Sequence, residues 1–327
     1  MRMLPSFLGA MLLAASAAAA APDADDSMQG RWVRYLAPPA GYRFEHRVVL
    51  LKKYSFPECD CELYEQANGP GTVQRVLVAF PKELKGRAPG VVAPFYFPEA
   101  MLGFELETRQ KLEKYAGITF MCDLARRGFV CATADAYHLT YVHSDRGRND
   151  FKRWADAAAA LNRDWPQWTG IGKLTADTRL VVDLLCADAR VDSDRIGIIG
   201  HSLGGKMALY AGALDPRIKV IVTSDFGLGW DQSNWNAAWY WGDKLAEAKA
   251  AGMEQNQLLS ISGGKPFFLM AGKYDDITSF AAMARAKGYE GHPERLCGVN
   301  HATGHRPPRY AVDAGYAFLE RMLGKGE

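Results

Sequence analysis

One stretch, Arg195 to Lys206 (RIGIIGHSLGGK), constrains the fold of this chain more than any other. Ile196 to Ile199 is a run of apolar residues and reads as a strand buried on both faces. It ends at Gly200-His201-Ser202-Leu203-Gly204, a G-x-S-x-G pattern, and Lys206 to Leu214 then reads as a helix of small and apolar residues. Strand, sharp turn and helix are the setting in which this pattern presents a serine hydroxyl at the carboxyl end of a strand, in a strained turn. The peptide N–H groups of the helix N-terminus lie beside it and suit a developing oxyanion. Glycines on either side let strand and helix pack closely. The rival reading is a structural strand–helix turn with an incidental serine, and the Gly204-Gly205 pair opening the helix counts against it.

The rest of the chain supplies a sheet for that strand to join. Early strands are expected at 47–56, 61–65 and 74–80, separated by turn residues. Later ones are expected at 91–97, 129–134, 218–223, 266–271 and 296–299. Helical patterns fall between the later strands: two pieces within 105–127, then 150–161, 175–185, 236–250, 279–287 and 310–323. Strands alternating with helices predict an α/β fold, a mostly parallel central sheet of about eight strands with helices on both faces and an antiparallel start. No repeat divides the chain. The expected organisation is a leader at 1–21, an N-terminal arm and first strand at 22–59, and a catalytic domain at 60–327 with inserts near 135–168 and 227–250.

Residues 1–21 carry Arg2, an apolar run from Leu4 to Leu13 and an alanine stretch ending in Ala19-Ala20-Ala21. That is the pattern of a cleaved signal peptide and points to a periplasmic or secreted protein with no stable membrane insertion after cleavage. Net charge is +2, or +1 without Arg2, which gives no electrostatic case for nucleic acid or an anionic membrane surface. Six cysteines permit disulfides in an oxidising compartment, with Cys122 and Cys131 as plausible partners. Cys59-x-Cys61 has no second pair at zinc-finger spacing, and the glycine between His301 and His305 reads as loop, so no metal and no cofactor is expected.

A serine hydroxyl needs a base within reach, and the base needs an orienting acid. In a doubly wound sheet both should follow carboxyl ends of strands. After the strand at 266–271 comes Gly272-Lys-Tyr-Asp275-Asp276, and Asp275 is the preferred acid, with Asp276 as its neighbour alternative. After 296–299 comes Asn300-His301-Ala-Thr-Gly-His305, and His305 is the preferred base, with His301 expected to bond a loop carbonyl. Asp225, after the strand at 218–223, is a fallback acid, expected instead to shape the pocket. The oxyanion donors are expected to be the N–H of Leu203 and one from Phe95-Tyr96-Phe97, with Tyr96 preferred; Pro98 has no N–H to give.

The order Ser202, Asp275, His305 resembles the α/β-hydrolase superfamily. Within it the chain is most similar to dienelactone-hydrolase-like and acetyl-xylan-esterase-like exported esterases over roughly 60–325. The likeness is densest in Val191 to Gly205, with further matches at Leu214 to Val220 and from Gly304. It implies Ser202 as nucleophile, Asp275 as acid and His305 as base. Dienelactone hydrolases carry cysteine where this chain has Ser202, which favours ordinary ester cleavage over lactone chemistry.

The stretch from Gly227 to Trp241 holds four tryptophans. Trp230 and Trp235, with Asp225 and His201, are the expected substrate contacts, and Trp239 and Trp241 are expected to pack the insert. Arg146, Arg148 and Lys152 form a basic group whose plain reading is a solvated face. The expectation is an exported serine hydrolase that cleaves carboxylic esters through an acyl-enzyme, on a small-molecule or carbohydrate ester. Two alternatives stand beside it: a peptidase of prolyl-oligopeptidase type, which the absence of a large gating domain disfavours, and a non-catalytic carbohydrate-binding relative.

Overall fold

The computed structural model describes residues 27–324. The expected leader at 1–21 lies outside the described residues. Nine strands form one sheet in the order β1-β2-β3-β5-β4-β6-β7-β8-β9. β1 (Val48–Ser55), β2 (Cys59–Gly69) and β3 (Thr72–Pro81) make the antiparallel start, and β3 also runs antiparallel to β5 (Val130–Ala134). β4 (Ala88–Val92), β5, β6 (Val191–His201), β7 (Ile218–Ser224), β8 (Phe267–Ala271) and β9 (Leu296–Asn300) are parallel. The nine strands correspond to the nine strand segments that the sequence suggests.

The apolar runs explain why β4 and β8 lie inside the sheet, each between two other strands. Every residue of β4 and β8 is buried, as strands covered on both faces require. β1 at the antiparallel edge is exposed along most of its length. One core layer packs under α5 (Gly170–Ala187) and α6 (Leu203–Leu214), and the other under α3 (Phe120–Arg126) and α10 (Arg309–Leu323).

Two sequence expectations need correcting here. The arm holds a helix absent from the expected elements: α1 (Met28–Leu36) is capped by Ser27, whose Oγ accepts from the Gly30 N–H, and it buries Trp32 and Leu36. Residues 236–243 are turns rather than helix, so α7 covers only Lys244–Ala250, and α8 (Asn256–Ile261) follows it. The remaining helices are α2 (Pro98–Leu102), α4 (Phe151–Asp164) and α9 (Ile277–Met283). Among the described residues, no helix is long and apolar enough to cross a membrane.

Candidate active site

β6 delivers Ser202 to the carboxyl edge of the sheet, and α6 begins at the next residue. Ser202 has φ +56°, a left-handed conformation that costs a residue with a Cβ roughly 1–3 kcal/mol. Two backbone bonds hold it there: Ser202 N–H donates across to the Ser224 carbonyl of β7 (2.8 Å), and the Lys206 N–H of α6 donates to the Ser202 carbonyl (3.0 Å). The two flanking glycines are there for close approach. A Cβ on Gly200 would lie 2.0 Å from the Gly204 carbonyl oxygen, and one on Gly204 would lie 2.0 Å from that of Pro94.

His305 arrives on the loop between β9 and α10. Its Nε2 is 3.0 Å from Ser202 Oγ, and its Nδ1 is 2.6 Å from Asp225 Oδ2. Tyr274 packs its ring edge-on against the imidazole (4.8 Å), and Arg306 anchors the loop by donating to the Ala116 carbonyl (2.7 Å). The structure thus brings Ser202 and His305 together as expected and corrects the acid. Asp225, not Asp275, faces His305, so Asp225 is not free to contact substrate.

Asp225 is fully buried, with φ +43°. Its Oδ1 accepts the peptide N–H groups of Gly272 (3.1 Å), Tyr274 (2.7 Å) and Asp275 (3.0 Å). Burial pushes this carboxyl up, but His305 and the N–H groups of Asp275 and Tyr274 outweigh it and hold the group below the usual carboxylate range.

Asp275 turns away from His305. It accepts the N–H groups of Phe226 (2.8 Å), Gly227 (3.0 Å) and Leu228 (2.7 Å) and the Ser279 hydroxyl (2.9 Å). Burial pushes its carboxyl up against these donors. Its role is to cradle the loop that follows Asp225. Asp276 caps α9 by accepting the Thr278 N–H (2.8 Å).

His201 is buried beside His305, ring centroids 4.5 Å apart, with Nδ1 3.0 Å from Ser224 Oγ. Burial and the neighbouring His305 press its pKa far down, so it stays neutral. His301 bonds Thr303 Oγ1 through Nδ1 (2.9 Å) rather than a loop carbonyl. The peptide N–H groups of Leu203 and Tyr96 have no partner among the described residues, while the Tyr96 carbonyl accepts from the Ala136 N–H (3.1 Å).

The loop carrying Tyr96 is pinned by a charge network that the sequence did not disclose. Arg75 donates to Asp135 (2.8 Å) and Glu99 (2.9 Å), both buried, and Arg148 reaches Glu99 (3.0 Å) and Glu105 while lying over the Phe97 ring. Arg146 pairs with Asp150 and Asp156. Arg146 and Arg148 therefore belong to ion pairs and are not an open basic face.

The tryptophan expectations are also corrected. Trp235 is fully buried and donates to the Gly227 carbonyl (2.7 Å). Trp230 donates to the Met253 carbonyl (2.6 Å) and stacks on Trp32 of α1 at 6.0 Å. Trp235 lies in the interior and Trp230 packs half-buried against it, each with its indole N–H already given to a backbone carbonyl.

Lys206, a lone cation in the apolar helix α6, is buried between the rings of Trp235 and Tyr240 and donates to Ser233 Oγ (2.8 Å) and Asn234 Oδ1 (3.2 Å). Burial pushes its pKa down to about 7. Among the described residues no group of three or more His, Cys, Asp or Glu is placed to hold a metal. All six cysteines are free thiols, and Cys122 Sγ lies 3.9 Å from Cys59 Sγ.

Comparison with known proteins finds a family pattern and similar folds. Residues 169–269 match the family model "Glucuronyl esterase, fungi". No curated protein sequence matches significantly. A glucuronoyl esterase from Solibacter usitatus superposes with a TM-score of 0.64 at 15% identity, covering 88% of each chain. A CE15 glucuronoyl esterase from Teredinibacter turnerae gives 0.61 at 16% identity, over 90% of this chain and 83% of that one. Acetyl xylan esterase 1 from a Thermoanaerobacterium species gives 0.56 at 16% identity, over 90% and 93%. Shape agrees over most of the chain, so this chain shares the fold of these esterases, and the family pattern covers the segment that holds Ser202 and Asp225.

Proposed function

We propose that this protein is an exported serine esterase that cleaves carboxylic esters of carbohydrates, with esters of glucuronic acid as the first class to test. The observation that carries this is the relay Ser202 Oγ–His305 Nε2 (3.0 Å) and His305 Nδ1–Asp225 Oδ2 (2.6 Å) at the carboxyl edge of the sheet. The glucuronyl-esterase pattern over 169–269 and the esterases of similar shape support the substrate class. The leader pattern at 1–21 supports export.

In this reading Ser202 Oγ attacks the ester carbonyl while His305 Nε2 takes its proton. Asp225 fixes the imidazole so that Nδ1 carries hydrogen and Nε2 is free to accept, and it stabilises the imidazolium that forms. The unpartnered N–H groups of Leu203 and Tyr96 receive the oxyanion. Collapse of the tetrahedral species breaks the ester C–O bond, and His305 returns the proton to the departing alcohol. Water, deprotonated by His305, then frees the acid from Ser202.

Purified enzyme should hydrolyse a glucuronoyl ester and p-nitrophenyl acetate, and a fluorophosphonate should label Ser202. Ser202→Ala should lower kcat by at least about a thousandfold with the circular dichroism spectrum intact. Retention of a tenth or more of the activity would remove Ser202 from the mechanism. Absence of labelling together with carbohydrate binding that survives Ser202→Ala would favour a non-catalytic binding role.

A further inference from the structure

Among the described residues two aromatic side chains are largely exposed, Tyr310 in the first turn of α10 and Phe151. Phe151, the first residue of α4, leaves 60% of its surface in water. Its ring stacks on half-buried Trp239, centroids 5.7 Å apart at 22°. Phe151 belongs to the excursion after β5 and Trp239 to the loop after β7, so both lie on the side of the sheet from which Ser202 projects.

We propose that Phe151 and Trp239 form a flat subsite for a pyranose ring of the carbohydrate substrate, remote from the ester that is cleaved. The proposal rests on the esterase reading above for its substrate class. Three features support it. The pair is continuous with the reaction centre through ring contacts: Trp239 touches Trp154 (6.3 Å), and Trp154 touches Tyr96 (5.9 Å) on the oxyanion loop.

The pair is also held in place before ligand arrives. Tyr137 Oη donates to the Trp239 carbonyl (3.4 Å), and the Gly170 backbone approaches that carbonyl so closely that a Cβ there would sit 2.2 Å from it. Asp150 caps α4 by accepting the Lys152 N–H (2.7 Å), which fixes the turn carrying Phe151. A preformed site avoids the ordering cost of binding.

The surroundings suit a sugar. Ala155, one turn beyond Phe151 on α4, is exposed and small, so it leaves the ring face open. Exposed Lys152 follows Phe151 directly, and exposed Asn236 lies three residues before Trp239. A pyranose offers an apolar C–H face to a ring and hydroxyls to donors and acceptors at its rim, whereas a bare aromatic ligand would leave those polar groups unused.

The test compares Phe151→Ala, a surface change that leaves the core untouched, with the parent enzyme on two esters. On an ester borne by a xylo-oligosaccharide, KM should rise about fivefold with kcat unchanged, while p-nitrophenyl acetate turnover stays within twofold of the parent. Phe151→Trp should restore the lower KM. Equal losses on both esters, or no loss on either, would overturn the subsite. Xylo-oligosaccharide binding to Ser202→Ala, followed by tryptophan fluorescence, gives a readout without turnover: it should be present, and weakened at least threefold in Ser202→Ala/Phe151→Ala. If the parent cleaves neither ester, the esterase reading fails and this binding arm alone decides the subsite.

Discussion

Asp225 and Asp275 hold each other's loops: the Asp225 carboxylate accepts the Asp275 N–H at 3.0 Å, and the Asp275 carboxylate accepts the N–H groups of the three residues after Asp225. The two carboxylates thereby divide two tasks. One faces His305 and the other fixes the backbone that aims the first. A positive φ at Asp225 is sustained because the Asp275 cradle determines where residues 226–228 must run.

That division predicts opposite signatures for two similar substitutions. Asp225→Asn keeps the side chain's volume but removes the charge facing His305, so kcat should fall about ten-thousandfold with only a small change in Tm. Asp275→Asn sets an amide NH2 against donors that need acceptors, and should cost about 2–4 kcal/mol of stability. Its kcat should fall less, through displacement of the Asp225 loop. Steady-state kinetics and thermal melts of both variants decide the matter. A larger kcat loss in Asp275→Asn would return Asp275 to the role that the sequence suggests for it.

Why the sequence pointed to Asp275, although Asp225 is the carboxylate facing His305, has a physical answer. Ser202 and His305 were legible because each is marked locally, one by the strand, glycine turn and helix, the other by a glycine-flanked loop after the last strand. Asp225 and Asp275 both follow the ends of neighbouring strands, and only cross-strand geometry separates them. Asp225 comes directly after Ser224, whose carbonyl receives the N–H of Ser202, whereas Asp275 lies four residues past its strand, behind that position. The alternation of strands and helices made the sheet readable. The helix at 28–36 was missed although Trp32 and Leu36 lie on one face, because no buried strand brackets it to flag the pattern.

The strained backbone at Ser202 predicts a trade between stability and activity. Glycine at position 202 adopts φ +56° without the Cβ penalty, while its looser unfolded chain offsets part of the gain. Ser202→Gly should therefore be more stable than the parent by about 1 kcal/mol, a rise of roughly 2 °C in Tm, and inactive. Ser202→Ala keeps the Cβ and should melt near the parent. Equal melting of all three proteins would show that the turn stores no strain.

The packing of half-buried Trp230 against three other tryptophans makes a prediction that a substrate-binding role would not. Its ring packs between Trp32, Trp235 and Trp241 and ties α1 to the body of the protein. Trp230→Ala should cost about 3–5 kcal/mol of stability and leave KM for any ester that is still turned over within twofold of the parent. A tenfold rise in KM with an unchanged melt would mean that the ring contacts substrate.

His138 sets an acid limit on the fold. The ring is fully buried and lies flat on Trp154, centroids 3.8 Å apart. Its Nε2 is 2.8 Å from the Arg148 carbonyl, a contact that only an N–H can satisfy, so Nε2 carries the proton of the neutral ring. Burial pushes the pKa down to about 4 from its ordinary 6.5. As pH falls below that ordinary value the unfolded chain takes up a proton that the folded one refuses, so stability present above it drains away toward pH 4, by at most about 1.4 kcal/mol per pH unit. Carboxylates held low, such as Glu62 at about 2, lose their contribution only in stronger acid. A melting series from pH 7 to pH 4.5 should therefore fall more steeply for the parent than for His138→Gln, whose side chain does not titrate and can still donate toward Arg148. Parallel curves for the two proteins would show that His138 takes its proton equally in the folded and unfolded chains.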